Sequence, residues 1–368
     1  MKKILIVSLK AGNGHVQAAR AIEVALKEKH PDFEVKNIDL LDYASILSRE
    51  FYGNWYMDLV NAVPKFYEFM YERLDARSTK LRLLSDRMSA QKFQKFVFNF
   101  NPDLIFATHF VPGNLLTFWR EKYKKNYKII TTLTDYEAHP LWIDNKFDLY
   151  TVASEEVKDQ MINLGAEKEK IFVTGIPIDK KFSQKFDKSK IFSSLGLENK
   201  FTIALFAGAF GTGPMIDIFQ NILNLNLDFQ TIIVAGKNED LKNKLIKMSE
   251  GKKTKTTTLG FIDNMEEIMA ASDIAVSKAG GLTVSESLAI NLPLVIINPY
   301  PGQEEANTKY LLKNLCAFKA DSPSDTAELI KNVLKKPELI KEMRANIKKI
   351  AKPNAAFEIV ELAEGFLD

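Results

Sequence analysis

The sequence predicts an α/β protein made of two doubly wound parallel-sheet domains that face each other across a cleft. Three observations predict it. Short apolar runs alternate with helical patterns through the first half, the block GIPIDKKF at 175–182 breaks that rhythm, and the alternation then resumes. Strands separated by helices imply parallel pairing through right-handed crossovers. With 368 residues, 46% of them hydrophobic and 26% charged, the chain has ordinary globular composition and enough length for two cores.

In chain order, Lys3–Ser8 is a run of buried-strand character. Residues 16–29 follow as a helix, with Ala18, Ile22, Ala25 and Leu26 along one stripe. Runs at 33–38, Leu104–Ala107, 129–133, Leu149–Val152 and Ile171–Val173 supply the later strands of the first domain, residues 1–178. In the second domain, residues 179–349, strands are expected at 202–207, 231–235, 256–259, 274–276 and Leu294–Ile297. Open parallel sheets bind ligands at the carboxyl ends of their strands, so the cleft is the expected site.

Composition bounds the function. A formal net charge of +3 argues against a dedicated nucleic-acid binder. Cys316 is the only cysteine, which rules out a disulfide within the chain and suits a reducing compartment. The opening MKKILIVS enters a strand at once and lacks the features of a secretory signal. No run approaches the ~20 apolar residues needed to span a bilayer, so any membrane role is expected to be peripheral.

The densest chemistry lies in SKAGGLTVSE at 277–286 and PGQEEAN at 301–307. Gly280 and Gly281 open a helix, whose free N–H groups and dipole favour an anion, and they leave room for a diphosphate. Lys278, Leu282 and Thr283 flank that start, and Glu286 lies more than one turn further on, where a carboxylate accepts from ribose hydroxyls. Gln303, Glu304 and Asn307 add the donors and acceptors that suit a sugar. Together these segments read as a nucleotide-sugar pocket. The loop GAFGTG at 208–213 follows the first strand of the second domain; Gly208 and Gly211 either line the diphosphate with backbone N–H groups or serve a tight turn.

In the first domain, SLKAGNGHVQAA at 8–19 places Gly14 and His15 at a strand-to-helix turn. His15 is either a base near neutrality or a packing residue of the loop. The partial G-x-G pattern lacks a third glycine, because position 17 is Gln, so a dinucleotide is not expected. Asp135 and His139 follow another strand end; they orient His15, contact an acceptor, or hold a turn through the Asp side chain. His109 is equally a wall residue or a chemical one. No helix carries histidines at i,i+4 spacing, so no metal site is expected.

Residues 43–100 are too long for a simple connection. Phe51, Tyr52, Trp55, Tyr56, Phe66, Tyr67, Phe69 and Tyr71 cluster there, followed by basic residues that include Arg73, Arg77, Lys80 and Arg82. Aromatics followed by a basic helix suit an anionic lipid surface; a solvated amphipathic helix pair is the plain alternative.

These blocks, with TDYEAHPLW at 134–142 and VTGIPID at 173–179, stand in an order and spacing that resemble the monogalactosyldiacylglycerol synthase and processive diacylglycerol glucosyltransferase family. That family is related to the enzyme that adds N-acetylglucosamine to lipid II. The resemblance implies two Rossmann-like domains (the GT-B architecture) and a C-terminal helix, at about 350–368, that packs back on the first. It implies an inverting transfer of hexose from UDP-glucose or UDP-galactose to the 3-hydroxyl of diacylglycerol, at the cytoplasmic face of the membrane. UDP-sugar is then a substrate, and no cofactor is expected. His15 or Asp135 would be the base, and Phe261 and Ile262 of the GFI segment would meet uracil, although Phe261 equally fits a core position. No Asp-x-Asp occurs, so a metal-held diphosphate is not expected. Gln303-Glu304 replaces the paired glutamines of the lipid II enzyme and favours the glycerolipid branch. The lipid II type of transferase, a UDP-sugar epimerase and a non-enzymatic UDP-sugar sensor are the alternatives.

Overall fold

The computed structural model describes residues 1–10, 13–43, 91–209, 211 and 213–367. The chain divides into two units, one of Met1–Lys180 with Asn354–Asp368 and one of Lys181–Pro353. Each holds a six-stranded sheet whose strand pairs are all parallel.

The first sheet has the order β2-β1-β3-β4-β5-β6. Its strands are β1 (Lys3–Ser8), β2 (Glu34–Asp39), β3 (Leu104–Ala107), β4 (Lys128–Thr132), β5 (Leu149–Val152) and β6 (Ile171–Val173). The central strands read as unbroken apolar runs because helices cover both faces: Ile4 to Val7 and all of β3 are fully buried. Helix α1 (Asn13–Lys29) lays Ala18, Ala21, Ile22, Ala25 and Leu26 on the sheet and ends in Lys27 and Lys29, which suit the negative end of its dipole.

Among the described residues, α2 (Gln91–Phe100), α3 (Phe110–Lys122) and α4 (Glu155–Asn163) add to the cover. In α2, Phe93, Val97 and Phe100 are buried, at helical spacing, and Tyr43 packs 5.1 Å from Phe96. These aromatics of the 43–100 stretch thus serve the core. Trp55, Arg73, Arg77, Lys80 and Arg82 lie outside the described residues.

The second sheet has the order β12-β11-β10-β7-β8-β9. Its strands are β7 (Thr202–Phe206), β8 (Gln230–Val234), β9 (Lys255–Leu259), β10 (Ile274–Ser277), β11 (Leu294–Ile297) and β12 (Ala317–Ala320). Around it lie α5 (Lys188–Ser194), α6 (Met215–Leu223), α7 (Glu239–Ser249), α8 (Met265–Ala271), α9 (Gly281–Ile290), α10 (Gln303–Lys313), α11 (Pro323–Lys335) and α12 (Glu338–Ile350). Every strand expected from an apolar run is present to within a residue at either end. Strand β12 has no counterpart among those expectations. It is an edge strand in which Phe318 is only partly buried and Lys319 is exposed, so it lacks the apolar run by which central parallel strands are recognised.

The C-terminal helix, α13 (Ala355–Glu364), belongs to the first unit. Ala356, Ile359, Val360 and Ala363 share one core with Ala21, Ile22 and Ala25 of α1. Burying Ile359 and Val360 contributes roughly 1.5–3 kcal/mol each, and His30 Nε2 lies 2.8 Å from Glu364 Oε1 at the rim. Among the described residues, no helix is long and apolar enough to cross a membrane.

Candidate functional site

The first sheet switches its winding between β1 and β3: β2 lies on the outer side of β1, and β4 to β6 extend beyond β3. Loops leaving those two carboxyl ends diverge and open a crevice. His15, in the first turn of α1, follows β1; Thr108 and His109 follow β3; Thr134 and Asp135 follow β4. The sheet therefore gathers side chains that are 93 and 119 residues apart.

His15 Nδ1 lies 2.7 Å from the Thr108 carbonyl oxygen and 2.9 Å from Thr134 Oγ1. Thr108 Oγ1 in turn donates to the His15 carbonyl at 2.9 Å. A carbonyl oxygen only accepts, so Nδ1 carries the ring proton and Nε2 keeps its lone pair. The residue is half-buried, and burial pushes its pKa down to about 4, while the Thr108 carbonyl pulls the other way. The neutral ring with an open acceptor nitrogen is the form a general base needs. Beside it, a Cβ on Gly14 would meet nothing within 4 Å.

The other two histidines of this edge are tied to the backbone. His109 caps α3, its Nδ1 accepting from Val111 N at 3.1 Å. His139 caps the short turn Pro140–Trp142, its Nδ1 accepting from Leu141 N at 3.2 Å. Asp135 is partly buried directly after Thr134. Among the described residues, no cluster of three His, Cys, Asp or Glu could hold a metal ion.

In the second sheet the switch falls between β10 and β7. The loop after β7 holds Gly208, Gly211 and Gly213 at φ of 72°, 63° and 105°, the left-handed region open to glycine. It stacks on the turn after β8. Lys237 N donates to Ala209 O at 3.0 Å, and a Cβ on Gly236 would lie 2.3 Å from Gly208 O. The loop after β10 leads into α9. Gly280 is its N-cap and makes no side-chain cap, so no side chain of the cap residue occupies the first N–H groups.

Leu282, Thr283 and Glu286 are partly exposed on one face of α9, while Val284, Ser285, Ser287 and Leu288 are buried. The Lys278 ammonium donates to Tyr300 Oη at 3.0 Å and lies 4.1 Å from that ring's centre. Gln303 is exposed, and Glu304 accepts from Tyr300 N at 2.8 Å. Asn307 is fully buried and donates to Ala279 O at 2.9 Å, so it braces the Gly280 loop from behind. Phe261 is 57% exposed, with Lys237 Nζ 5.3 Å from its ring, and Ile262 beside it is partly buried. Phe261 is therefore a surface aromatic rather than a core one.

Sequence reasoning missed Thr108 and Thr134 as partners of His15, and Tyr300 and Lys237 beside the second-unit loops. Nothing in their local spacing marks them; only strand order brings them into place.

Comparison with known proteins bears on the fold and the family. Residues 15–178 match the family described as monogalactosyldiacylglycerol (MGDG) synthase, and residues 212–361 match the glycosyltransferase family 28 C-terminal domain. A processive diacylglycerol beta-glucosyltransferase of Staphylococcus epidermidis is 31% identical over 354 residues, covering 94% of this chain and 88% of that protein. Among solved structures, MurG of Acinetobacter baumannii aligns with a TM-score of 0.65 at 14% identity over 99% of this chain and 100% of its own. Anabaena HepE in complex with UDP and glucose aligns with a TM-score of 0.58 at 15% identity, again over 99% and 100%. At those identities the likeness is one of fold, the GT-B architecture of two Rossmann-like domains.

Proposed function

Because the chain belongs to the family of the processive diacylglycerol beta-glucosyltransferases, we propose that it transfers a hexose from UDP-glucose or UDP-galactose to the 3-hydroxyl of diacylglycerol. The observation that carries this reading is the placement of both motif sets at switch points. His15 stands at the first, and Gly208, Lys278, Gly280 and Gly281 stand at the second.

Inverting transfer needs an activated acceptor oxygen and a stabilised leaving group. In this reading the glycerol oxygen attacks C1 of the hexose, its proton passes to His15 Nε2, and the bond from C1 to the diphosphate oxygen breaks to release UDP. The Thr108 carbonyl, already bonded to Nδ1, stabilises the imidazolium that forms. Asp135 is the second candidate for the base. Charge developing on the diphosphate meets the α9 N-terminus, the backbone of the Gly208–Gly211 loop and the Lys278 ammonium. Glu286 accepts from the ribose hydroxyls, Gln303 and Glu304 contact the hexose, and Phe261 and Ile262 border uracil. Asn307 acts behind them by holding Ala279. The residues needed for this are the chain's own, so no cofactor is invoked.

The acceptor is a bilayer lipid, and we infer peripheral binding to an anionic surface at the cytoplasmic face. The basic run at 73–95 and the single cysteine support that placement. The deciding experiment incubates the protein with diacylglycerol vesicles and, separately, labelled UDP-glucose, UDP-galactose and UDP-N-acetylglucosamine, then identifies the lipid product. A hexosyl diacylglycerol supports the reading. Label transferred to no lipid, or only from UDP-N-acetylglucosamine, overturns it.

A further inference from the structure

We propose that His109 is a positioning residue for His15: its ring sets the plane of the His15 imidazole and keeps water from it. The inference rests on His15 being the base, but its test does not depend on activity.

The His15 ring is hydrogen-bonded at Nδ1, to Thr108 O and Thr134 Oγ1. An imidazole held at one nitrogen still pivots about that point, and Nε2 swings with it. The second constraint is His109, whose ring centroid lies 4.7 Å from that of His15 with the planes at 79°. This edge-to-face contact selects one plane. His109 is itself immobilised. Its Nδ1 accepts from Val111 N, its ring stacks on Phe110 at 4.3 Å, and Trp142 lies 6.1 Å away.

Only 7% of His109 is exposed, so it forms a wall on that side of His15. Thr108 and Thr134 are uncharged, and burial is the leading cause of the lowered His15 pKa. Among the described residues, the titratable groups on the neighbouring loops are Lys10 after β1, His109 after β3, and Asp135, Tyr136, Glu137 and His139 after β4. Removing the wall admits water and returns the His15 pKa towards its ordinary 6.5.

Two substitutions separate the wall from the helix cap. His109→Asn keeps a cap acceptor for Val111 N and loses the ring; His109→Phe keeps the ring and loses the cap. The chain has four histidines, so their ring signals can be assigned one by one and titrated by NMR in the full-length protein. The expected result is a His15 titration midpoint well below 6.5 in the parent and in His109→Phe, and one raised towards 6.5 in His109→Asn. The acid limb of kcat/KM should move with it in His109→Asn alone, although His109→Phe melts at a lower temperature. If His109→Phe does not fold, His109→Tyr supplies the ring instead. An unchanged His15 midpoint in folded His109→Asn overturns the proposal, as does an equal shift in both variants. Near-normal transfer by His15→Ala would remove the base assignment, and the NMR midpoints would still decide whether His109 shields the ring.

Discussion

Asn307, in the second turn of α10, donates from Nδ2 to the carbonyl oxygen of Ala279 at 2.9 Å, linking that helix to the loop before α9, 28 residues away in sequence. The amide is fully buried, and the carbonyl it meets immediately precedes the Gly280 cap of α9. A residue of α10 thus fixes the geometry of the loop that opens α9.

Asn307→Ala strands a buried carbonyl and should cost ~1–3 kcal/mol of stability. Because the loop it holds carries the proposed diphosphate site, UDP affinity should fall as well. Thermal melting and calorimetry on the same sample measure both. An unchanged melting temperature would mean that the Ala279 carbonyl has found another partner.

Glu286 and Gln303 should separate nucleotide from sugar. Glu286→Ala removes a charged acceptor and should weaken free UDP binding by ~1–3 kcal/mol. Exposed Gln303, truncated to Ala, should impair transfer and leave free UDP affinity nearly intact. Glu304 is a poorer probe, since its carboxylate also caps Tyr300 N and its loss disturbs the turn. Equal effects of both substitutions on UDP and on UDP-sugar would place Gln303 elsewhere.

His15→Ala should cut turnover by about 10²–10⁴-fold, the usual contribution of a positioned base, while UDP affinity stays close to the parent's. The pH dependence follows from the lowered pKa. Between about 4 and 6.5 the folded protein binds fewer protons at His15 than the unfolded chain does. The stability tied to the neutral ring is therefore complete above 6.5 and is lost as pH falls through that window. The kcat/KM profile should have its acid limb below 6.5. A limb centred at or above 6.5 would show a ring more solvated than this one, and near-normal transfer by a folded His15→Ala would point to Asp135.

Vesicle binding should depend on the basic run. Each Lys or Arg near an anionic surface contributes ~1 kcal/mol, and salt screens the effect. Sedimentation with anionic vesicles should therefore weaken as salt rises. Reversing Arg73, Arg77, Lys80 and Arg82 to Glu should abolish it; undiminished binding by that variant would move the membrane surface to another part of the chain.

The sequence by itself determined the alternating elements, the two sheets and the glycine turns at their carboxyl edges. Helical stripes, buried runs and left-handed glycines are written by neighbours along the chain. It also placed Glu286 beside Leu282 and Thr283, because three- and four-residue spacings share a helix face. Tertiary structure alone decided what those residues touch. His15 meets Thr108 and Thr134 because β1, β3 and β4 are adjacent in the sheet, and no local pattern encodes strand order. Asn307 turns inward although its segment is polar, and β12 completes an edge without an apolar run, because burial there is set by what packs opposite. The resemblance implies that the C-terminal helix packs on the first domain, but the contact itself, α13 against a complementary stripe on α1 more than three hundred residues away, is written in no local pattern.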